Sequence, residues 1–197
     1  MAYSPIAVAN HFIDLASRDS VGDMTPMKIQ KLVFYAHGWH WAIADRPLIN
    51  AQVEAWEYGP VVRSLYNRLR EYGNQVVPGR VGIHEFDKTG NSLKDWGVRY
   101  LEPSMDDEGA SLGAIHLESI AIVDATWDEY KKFSAVQLSN MTHLPGTPWT
   151  ETVGKARAEN GGILPDGTDI PASLIKSFFR GIIEGNCQSD RREAAGV

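Results

Sequence analysis

The chain contains one cysteine, no long apolar run and no excess of positive charge, and each absence excludes a class of protein. Cys187 alone cannot build a disulfide framework or a multi-thiolate zinc site within one chain. No apolar run approaches the roughly 20 residues that span a bilayer, and no basic segment followed by an apolar stretch opens the sequence. We therefore expect a cytoplasmic protein in a reducing compartment, with no membrane partner.

The charge balance is acidic. The sequence has 19 Lys and Arg residues against 25 Asp and Glu residues, which gives a formal net charge of -6 at pH 7. Proteins that gain affinity by neutralising phosphates usually carry a basic excess instead. Direct binding of nucleic acid is therefore not expected.

The bulk composition is that of a globular domain. Apolar residues make up 43% of the chain and charged residues 22%, which is close to average usage. The 197 residues fit one hydrophobic core with additions better than two separate domains. We predict one domain over residues 1–185, with a variable excursion at 74–113, and a flexible polar tail at 186–197.

Two helix starts are marked by a capping residue followed by proline. Ser4-Pro5 opens an amphipathic helix that ends near Arg18, and Thr25-Pro26 opens a helix that continues to about Ala44. The second helix has apolar surface on nearly every side, which predicts a central helix surrounded by neighbours. The side chains on its predicted core face are Ile29, Leu32, Val33, Ala36, His40 and Ile43.

The remaining segments indicate short strands and further helices. Residues 53–58 alternate and are rich in aromatic and β-branched types, which predicts a strand that ends at Gly59-Pro60. Helical spacing follows at 61–72, at 112–132, after Ser134 and after Ile170-Pro171, whereas 149–160 is ambiguous. Short strands are predicted at 80–86 and 98–101. The predicted fold class is α+β and mainly α-helical, a single domain with a central aromatic-rich helix and a small antiparallel β element.

Patterns that would indicate catalysis are weak. His37 and His40 could bring two imidazoles to one metal, but no HExxH glutamate and no evident third ligand accompany them, so a core role is favoured. No nucleophile elbow or P-loop is present, and Ser134 and Ser139 are explained by capping and solvent. The acidic run at 106–108 predicts a solvated loop that could dock a basic surface. We predict no catalytic residue, no metal and no cofactor, with a metal-dependent hydrolase as the enzyme alternative.

A polar and aromatic stripe on the central helix is the candidate binding surface. Lys28, Lys31 and Tyr35 follow at i, i+3 and i+7, away from the centre of the core face. Two interpretations stay open. Either the lysines pair with carboxylates such as Glu54 and Glu57 while the rings join the core, or the stripe and the turn at Tyr58 form a surface for a protein partner. The candidate partner-binding residues are Lys28, Gln30, Lys31, Tyr35, His37, Trp41, Trp56, Tyr58, Gly59, Pro60 and His143.

Four separated blocks of the sequence resemble a known family. The blocks TPMKIQKLVFYAHGWHWAIADRPL at 25–48 and VEAWEYGPVVRSLYNRLREYG at 53–73 are similar to the signature of the Panacea family, also described as SocA-like or GepA-like phage-associated antitoxins. KFSAVQLSNMTHLPGTPW at 132–149 is similar to the family's second block, and IPASLIKSFF at 170–179 fits its closing helix. The match is specific because the four blocks occur in order.

The resemblance implies a helix-rich α+β domain from a bacterial or prophage toxin-antitoxin system. Such domains neutralise diverse toxins by direct contact, so the implied partner is a toxin, which we expect the adjacent gene to encode. One branch of the family instead delivers a toxin to a protease, which makes a proteolytic adaptor the alternative function. Some relatives add a DNA-binding helix-turn-helix, for which we expect no room before Ser4.

Overall fold

The computed structural model describes the backbone of residues 2–81 and 112–194 and the side chains of residues 2–81 and 117–185. Within these ranges the protein has seven α-helices, one short 3₁₀ turn and a two-stranded antiparallel sheet. This architecture confirms the predicted α+β, mainly α-helical class. No helix in the described ranges is both long and apolar enough to cross a membrane.

The helices α1 (Pro5–Arg18) and α2 (Pro26–Ala44) begin where the capping residues predict. The Ser4 side chain accepts a hydrogen bond from the backbone N–H of Ile6, and the Thr25 side chain accepts one from Lys28. The helix α2 is central, as predicted: most of its side chains are buried, and helices pack against it on several sides. Ile43 is an exception, because it lies in the last turn and is exposed rather than in the core.

The sheet is a hairpin of β1 (Glu54–Trp56) and β2 (Gly59–Val61), joined by a turn at Glu57 and Tyr58. We refer to residues 54–61 as the hairpin. A third segment, 168–170, lies beside β1: the N–H of Ala55 donates to Thr168, and the N–H of Ile170 donates to Val53. The sequence predicts β1 but not β2, because Gly59-Pro60 is typical of a strand end and the helical spacing begins at once after it.

The other helices are α3 (Arg63–Leu69), α4 (Leu112–Tyr130), α5 (Ala135–Thr142), α6 (Pro148–Glu159) and α7 (Ala172–Ala194), and the 3₁₀ turn is Arg70–Tyr72. Capping by Thr147 starts α6 in the segment that the sequence leaves ambiguous. The backbone of α7 continues past Asn186, where a flexible tail is predicted, and the helical assignment does not test flexibility. The strand predicted at 98–101, most of the one at 80–86, and the acidic run at 106–108 lie outside the described residues.

A close contact between two helices orders the centre of the molecule. Gly38 of α2 faces the ring of Phe179 on α7, and a Cβ atom at position 38 would overlap that ring. The Phe179 ring also makes edge contacts with Phe34, Tyr35 and Trp39. Tyr35 in turn stacks on Tyr130 of α4 with ring centroids 4.4 Å apart. The absence of a side chain at Gly38 thus lets α7 approach α2 closely enough to bury this aromatic cluster.

Candidate partner-binding site

The hairpin is bonded by side chains from α5 and α6 along its turn. The indole N–H of Trp149 donates to the carbonyl of Trp56 at 2.8 Å, and the hydroxyl of Ser139 donates to the carbonyl of Tyr58 at 2.9 Å. Between them, Nε2 of His143 lies 3.2 Å from the carbonyl oxygen of Glu57. Three successive carbonyl groups of the turn therefore each contact a different side chain.

The helix α2 bonds the far side of the same hairpin. The ammonium group of Lys31 donates to the carbonyl of Pro60 at 3.0 Å. The side-chain amide of Gln30 pairs with both backbone groups of Val62, accepting from its N–H at 3.0 Å and donating to its carbonyl at 3.2 Å. This pairing fixes the residue that directly follows β2 to the central helix.

Gly59 is required by the close approach of these groups. Its φ of 99° lies in the left-handed region that favours glycine. A Cβ atom there would lie 2.6 Å from Oγ1 of Thr142 and 2.8 Å from Nζ of Lys31. The hairpin can therefore lie directly on α2 and α5 only because position 59 has no side chain.

The burial of Lys31 is the most unusual feature of this site. Its side chain is only 1% exposed, and no carboxylate of the described residues lies within ion-pair distance of its ammonium group. Burial lowers the pKa of Lys31 to about 7, because the charged form loses its hydration. The Pro60 carbonyl is the hydrogen-bond acceptor that remains for it.

His143 connects α5 to the hairpin turn and to α6. Its Nδ1 lies 2.7 Å from the carbonyl oxygen of Ser139, one turn earlier in α5. Its ring packs against the indole of Trp149 with centroids 3.9 Å apart. Ser139 and His143 are four residues apart and so share one face of α5, which is the face that meets the hairpin.

Exposed apolar side chains lie in the turn and close in sequence to the residues that bond it. Tyr58 is 64% exposed, Val136 is 62% exposed and Leu144 is 57% exposed. Val136 lies one turn before Ser139 on the same side of α5, and Leu144 follows His143 directly. We call Tyr58, Val136, His143 and Leu144 the hairpin face. Large apolar side chains that lie in water beside a fixed turn are typical of a surface that binds another protein.

Five of the predicted partner-binding residues are buried, which agrees with the structural interpretation of the stripe and leaves their role in partner binding a prediction: Lys28, Gln30, Lys31, Tyr35 and His37. The physical reason is that the polar group of each side chain forms hydrogen bonds inside the protein. Lys28 bonds Asp23 at 2.6 Å and the carbonyl of Lys131 at 2.9 Å, instead of Glu54 or Glu57. The hydroxyl of Tyr35 donates to the carbonyl of Leu138, and burial raises the pKa of that phenol.

The other predicted site residues lie in or near the hairpin, with one exception. Gly59 and Pro60 are buried in β2, Tyr58 is exposed, and His143 is half-buried. Trp56 packs on Tyr66 with centroids 4.7 Å apart, and the guanidinium of Arg63 lies over its ring. Trp41 is the exception, since it lies at the far end of α2 beside His37. A role for these residues in partner binding stays a prediction.

The two histidines of α2 have structural partners. Nδ1 of His37 faces the backbone N–H groups of Leu48 and Ile49, and burial lowers the pKa of His37 to about 4. His40 lies between the carbonyl of Arg46 at 2.8 Å and the hydroxyl of Ser119 at 2.9 Å. In the part of the chain that the structure describes, no three His, Cys, Asp or Glu side chains are grouped as metal ligands would be.

The sequence does not predict Ser139, Val136 and Leu144 as parts of this site. The sequence predicts a solvent-exposed Ser139, but this side chain is buried and its hydroxyl donates to the hairpin. The available signal was the i, i+4 spacing of Ser139 and His143, which places two polar side chains on one face of a short helix. The hairpin that they contact is about 80 residues away in the sequence, so the spacing alone does not reveal their partner.

The family match covers the part of the chain that contains these contacts. The model of the family described as antitoxin SocA-like, Panacea domain matches residues 29–150, which is more than half of the chain, so the protein belongs to this family. The matched range includes all five side chains that bond the hairpin region: Gln30, Lys31, Ser139, His143 and Trp149. The family membership confirms the resemblance seen in the sequence.

A curated relative is similar over most of both chains. The protein is 29% identical over 174 residues to antitoxin SocA of Caulobacter vibrioides (strain NA1000 / CB15N), an alignment that covers 88% of this chain and 81% of the relative. No solved structure matches the chain.

Proposed function

We propose that the protein is a non-enzymatic antitoxin that neutralises a toxin by direct binding, and that the hairpin face is the contact surface. The observation that carries this proposal is the bonding of the hairpin and the adjoining Val62 by five side chains from α2, α5 with its C-cap, and α6, next to exposed Tyr58. Membership of an antitoxin family supports the biological role.

The hydrogen-bonded hairpin suits a binding role because it is already ordered. Binding a partner then costs less conformational entropy than it would with a flexible turn. A free two-residue turn samples several conformations, and ordering such a loop weakens association. Here Trp149, His143 and Ser139 contact the turn carbonyls before any partner arrives. Tyr58 is therefore presented in a defined position, and tyrosine is among the residues that most often dominate interface energies.

The mechanism that we propose is steric. The toxin binds over the hairpin face, and the body of the antitoxin covers the toxin's active site or the path of its substrate. No cofactor is needed for this action, which takes place in the cytoplasm. We expect the toxin to be encoded by the adjacent gene.

Coexpression tests the proposal. The product of the adjacent gene is expressed in a bacterial host alone, with the wild-type protein, and with Tyr58→Ala. We expect growth arrest, rescue and reduced rescue respectively. The control variant is Ile163→Ala, whose side chain is 70% exposed in the loop after α6 and which should rescue fully.

The toxin level separates binding from the adaptor alternative. Immunoblotting should show toxin that persists at an unchanged level in rescued cells, in a stable complex. Loss of the toxin that depends on a host protease would instead favour delivery to proteolysis. A neighbour that is harmless alone, or toxic and not rescued, would contradict the antitoxin function.

A further inference from the structure

An apolar pocket opens beside the hairpin face, between α2, α5, α6 and α7. Its volume is about 350 Å³. Its walls are mainly aromatic and aliphatic side chains, which include Tyr35, Met141, Leu144, Trp149, Phe178 and Ile182. Most of the pocket lining belongs to three of the four sequence blocks that resemble the Panacea family, at 25–48, 132–149 and 170–179. Tyr130 lies just before the second of these blocks and Ile182 just beyond the last.

The polar atoms in the walls are already bonded within the protein. The hydroxyl of Tyr35 donates to Leu138, that of Thr142 donates to Ser139, and that of Thr147 donates to Thr142, with distances of 3.1, 2.6 and 2.6 Å. None of the described residues that line the pocket carries a charge. A charged or strongly polar occupant would lose its hydration without gaining partners, whereas an apolar one would not.

The pocket is continuous with the hairpin face. Leu144 belongs to both, with more than half of its side chain exposed. Trp149 lines the pocket and bonds the hairpin at Trp56, and the ring of His143 packs on its indole. A protein that covers Tyr58 and Leu144 therefore lies at the mouth of the pocket.

We propose that this pocket receives one large apolar side chain, a Trp, Phe or Leu, from the toxin segment that docks on the hairpin face. The inference rests on the proposed function and names the chemistry of its partner. Interfaces commonly place one such anchor in a water-free pocket at their centre. Burying a side chain of this size contributes enough to change affinity about 10- to 100-fold.

Two variants and a matched control test the anchor. Ile182→Trp fills the pocket from a half-buried position, and Leu144→Glu places a carboxylate at its mouth. The control is Leu117→Glu on α4, because Leu117 is the same residue type and is 69% exposed away from this pocket. Circular dichroism and thermal unfolding of each variant verify the fold before the dissociation constant of the purified adjacent-gene product is measured by calorimetry.

We expect both pocket variants to weaken toxin binding at least about tenfold while Leu117→Glu binds like the wild type. N-acetyl-tryptophanamide at millimolar concentration should also shift the NMR signal of the Trp149 indole N–H, and N-acetyl-lysinamide should not. Which variants lose affinity for the toxin distinguishes the two proposals. If Tyr58→Ala weakens binding and both pocket variants bind normally, the pocket inference is wrong and the proposed function stands.

Other occupants give different outcomes. If the pocket holds a second copy of this chain, Ile182→Trp will change the sedimentation coefficient of the antitoxin alone, and the toxin-anchor proposal fails. If both amides shift the Trp149 signal equally, the pocket lacks the selectivity for apolar groups that the proposal requires. If the toxin does not bind the wild-type protein at all, both proposals fail together.

Discussion

The ammonium group of Lys31 lies 3.0 Å from the carbonyl oxygen of Pro60, in the interior between α2 and the hairpin. Isolated buried lysines are rare, because the charged form is costly to remove from water. In this protein the buried ammonium group of Lys31 donates to the carbonyl of Pro60, which is part of the hairpin. The charge on Lys31 and the position of the hairpin are therefore coupled.

Replacing Lys31 with Met should change how stability depends on pH. Burial lowers the folded-state pKa of Lys31 to about 7, from an ordinary value of 10.5. Between these values the unfolded chain keeps a proton that the folded chain has lost, so raising the pH should increase the free energy of unfolding. The difference of about 3.5 pKa units sets an upper limit of about 5 kcal/mol on this increase.

Urea unfolding at pH 7, 8.5 and 10 measures the effect of Lys31→Met. The wild type should gain stability relative to the variant over this range. Lys155→Met is the control, since Lys155 is exposed on α6 and should follow the wild type. Parallel curves for the wild type and Lys31→Met would show that the buried amine keeps its ordinary protonation.

Gly59→Ala should destabilise the hairpin by about 1–3 kcal/mol, because alanine is strained at positive φ and its Cβ would meet Thr142 and Lys31. Gly73→Ala is the matched control: Gly73 also has positive φ, but nothing lies within 4 Å of a Cβ there. Denaturant unfolding of both variants separates backbone strain from steric overlap. Equal losses in the two variants would mean that the close approach at Gly59 is unimportant.

The capped helices and the central position of α2 could be predicted from the sequence, because proline after Ser4 or Thr25 and all-round apolar spacing are local signals. The burial of Lys28 and Lys31 could not. Helical spacing places a residue on a side of the helix, but it does not say whether another element covers that side. Asp23 and Lys131 cover Lys28, and the hairpin covers Lys31, through contacts between distant parts of the chain.

The candidate site was only partly predictable for the same reason. Tyr58, Gly59, Pro60 and His143 were singled out by residue type and by family resemblance, and the structure brings them together. Ser139 was missed because a serine inside a short helix has no local pattern that indicates a tertiary partner. The helix α6 was ambiguous because much of its length is polar and exposed, so its periodicity is weak.

Gly38→Ala should lower stability by about 1–3 kcal/mol, because the added methyl group overlaps the ring of Phe179. We expect this net loss although replacing glycine with alanine inside a helix usually stabilises a protein by roughly 1 kcal/mol. Gly154→Ala in α6 is the control, since that position has open space and should become more stable. A stabilised Gly38→Ala variant would contradict the close packing of α2 against α7.

Ser139→Ala should loosen the turn without unfolding the domain. The carbonyl of Tyr58 loses its hydrogen bond, which we expect to cost about 1 kcal/mol and to weaken toxin binding several-fold. Hydrogen exchange at the backbone amides of residues 57–59 should become faster. Ser177→Ala is the control, because its hydroxyl bonds within its own exposed helix turn. Unchanged exchange in Ser139→Ala would exclude a role for this bond in ordering the turn.

The most direct measurement is photo-crosslinking from position 58 in the complex with the toxin. Replacing Tyr58 with benzoylphenylalanine keeps an aromatic group at the exposed tip of the turn, and the same replacement of Ile163 probes an equally exposed position elsewhere. We expect a crosslink to the toxin from position 58 and none from position 163. A toxin that binds tightly but crosslinks only from position 163 would show that the hairpin face is not the contact surface.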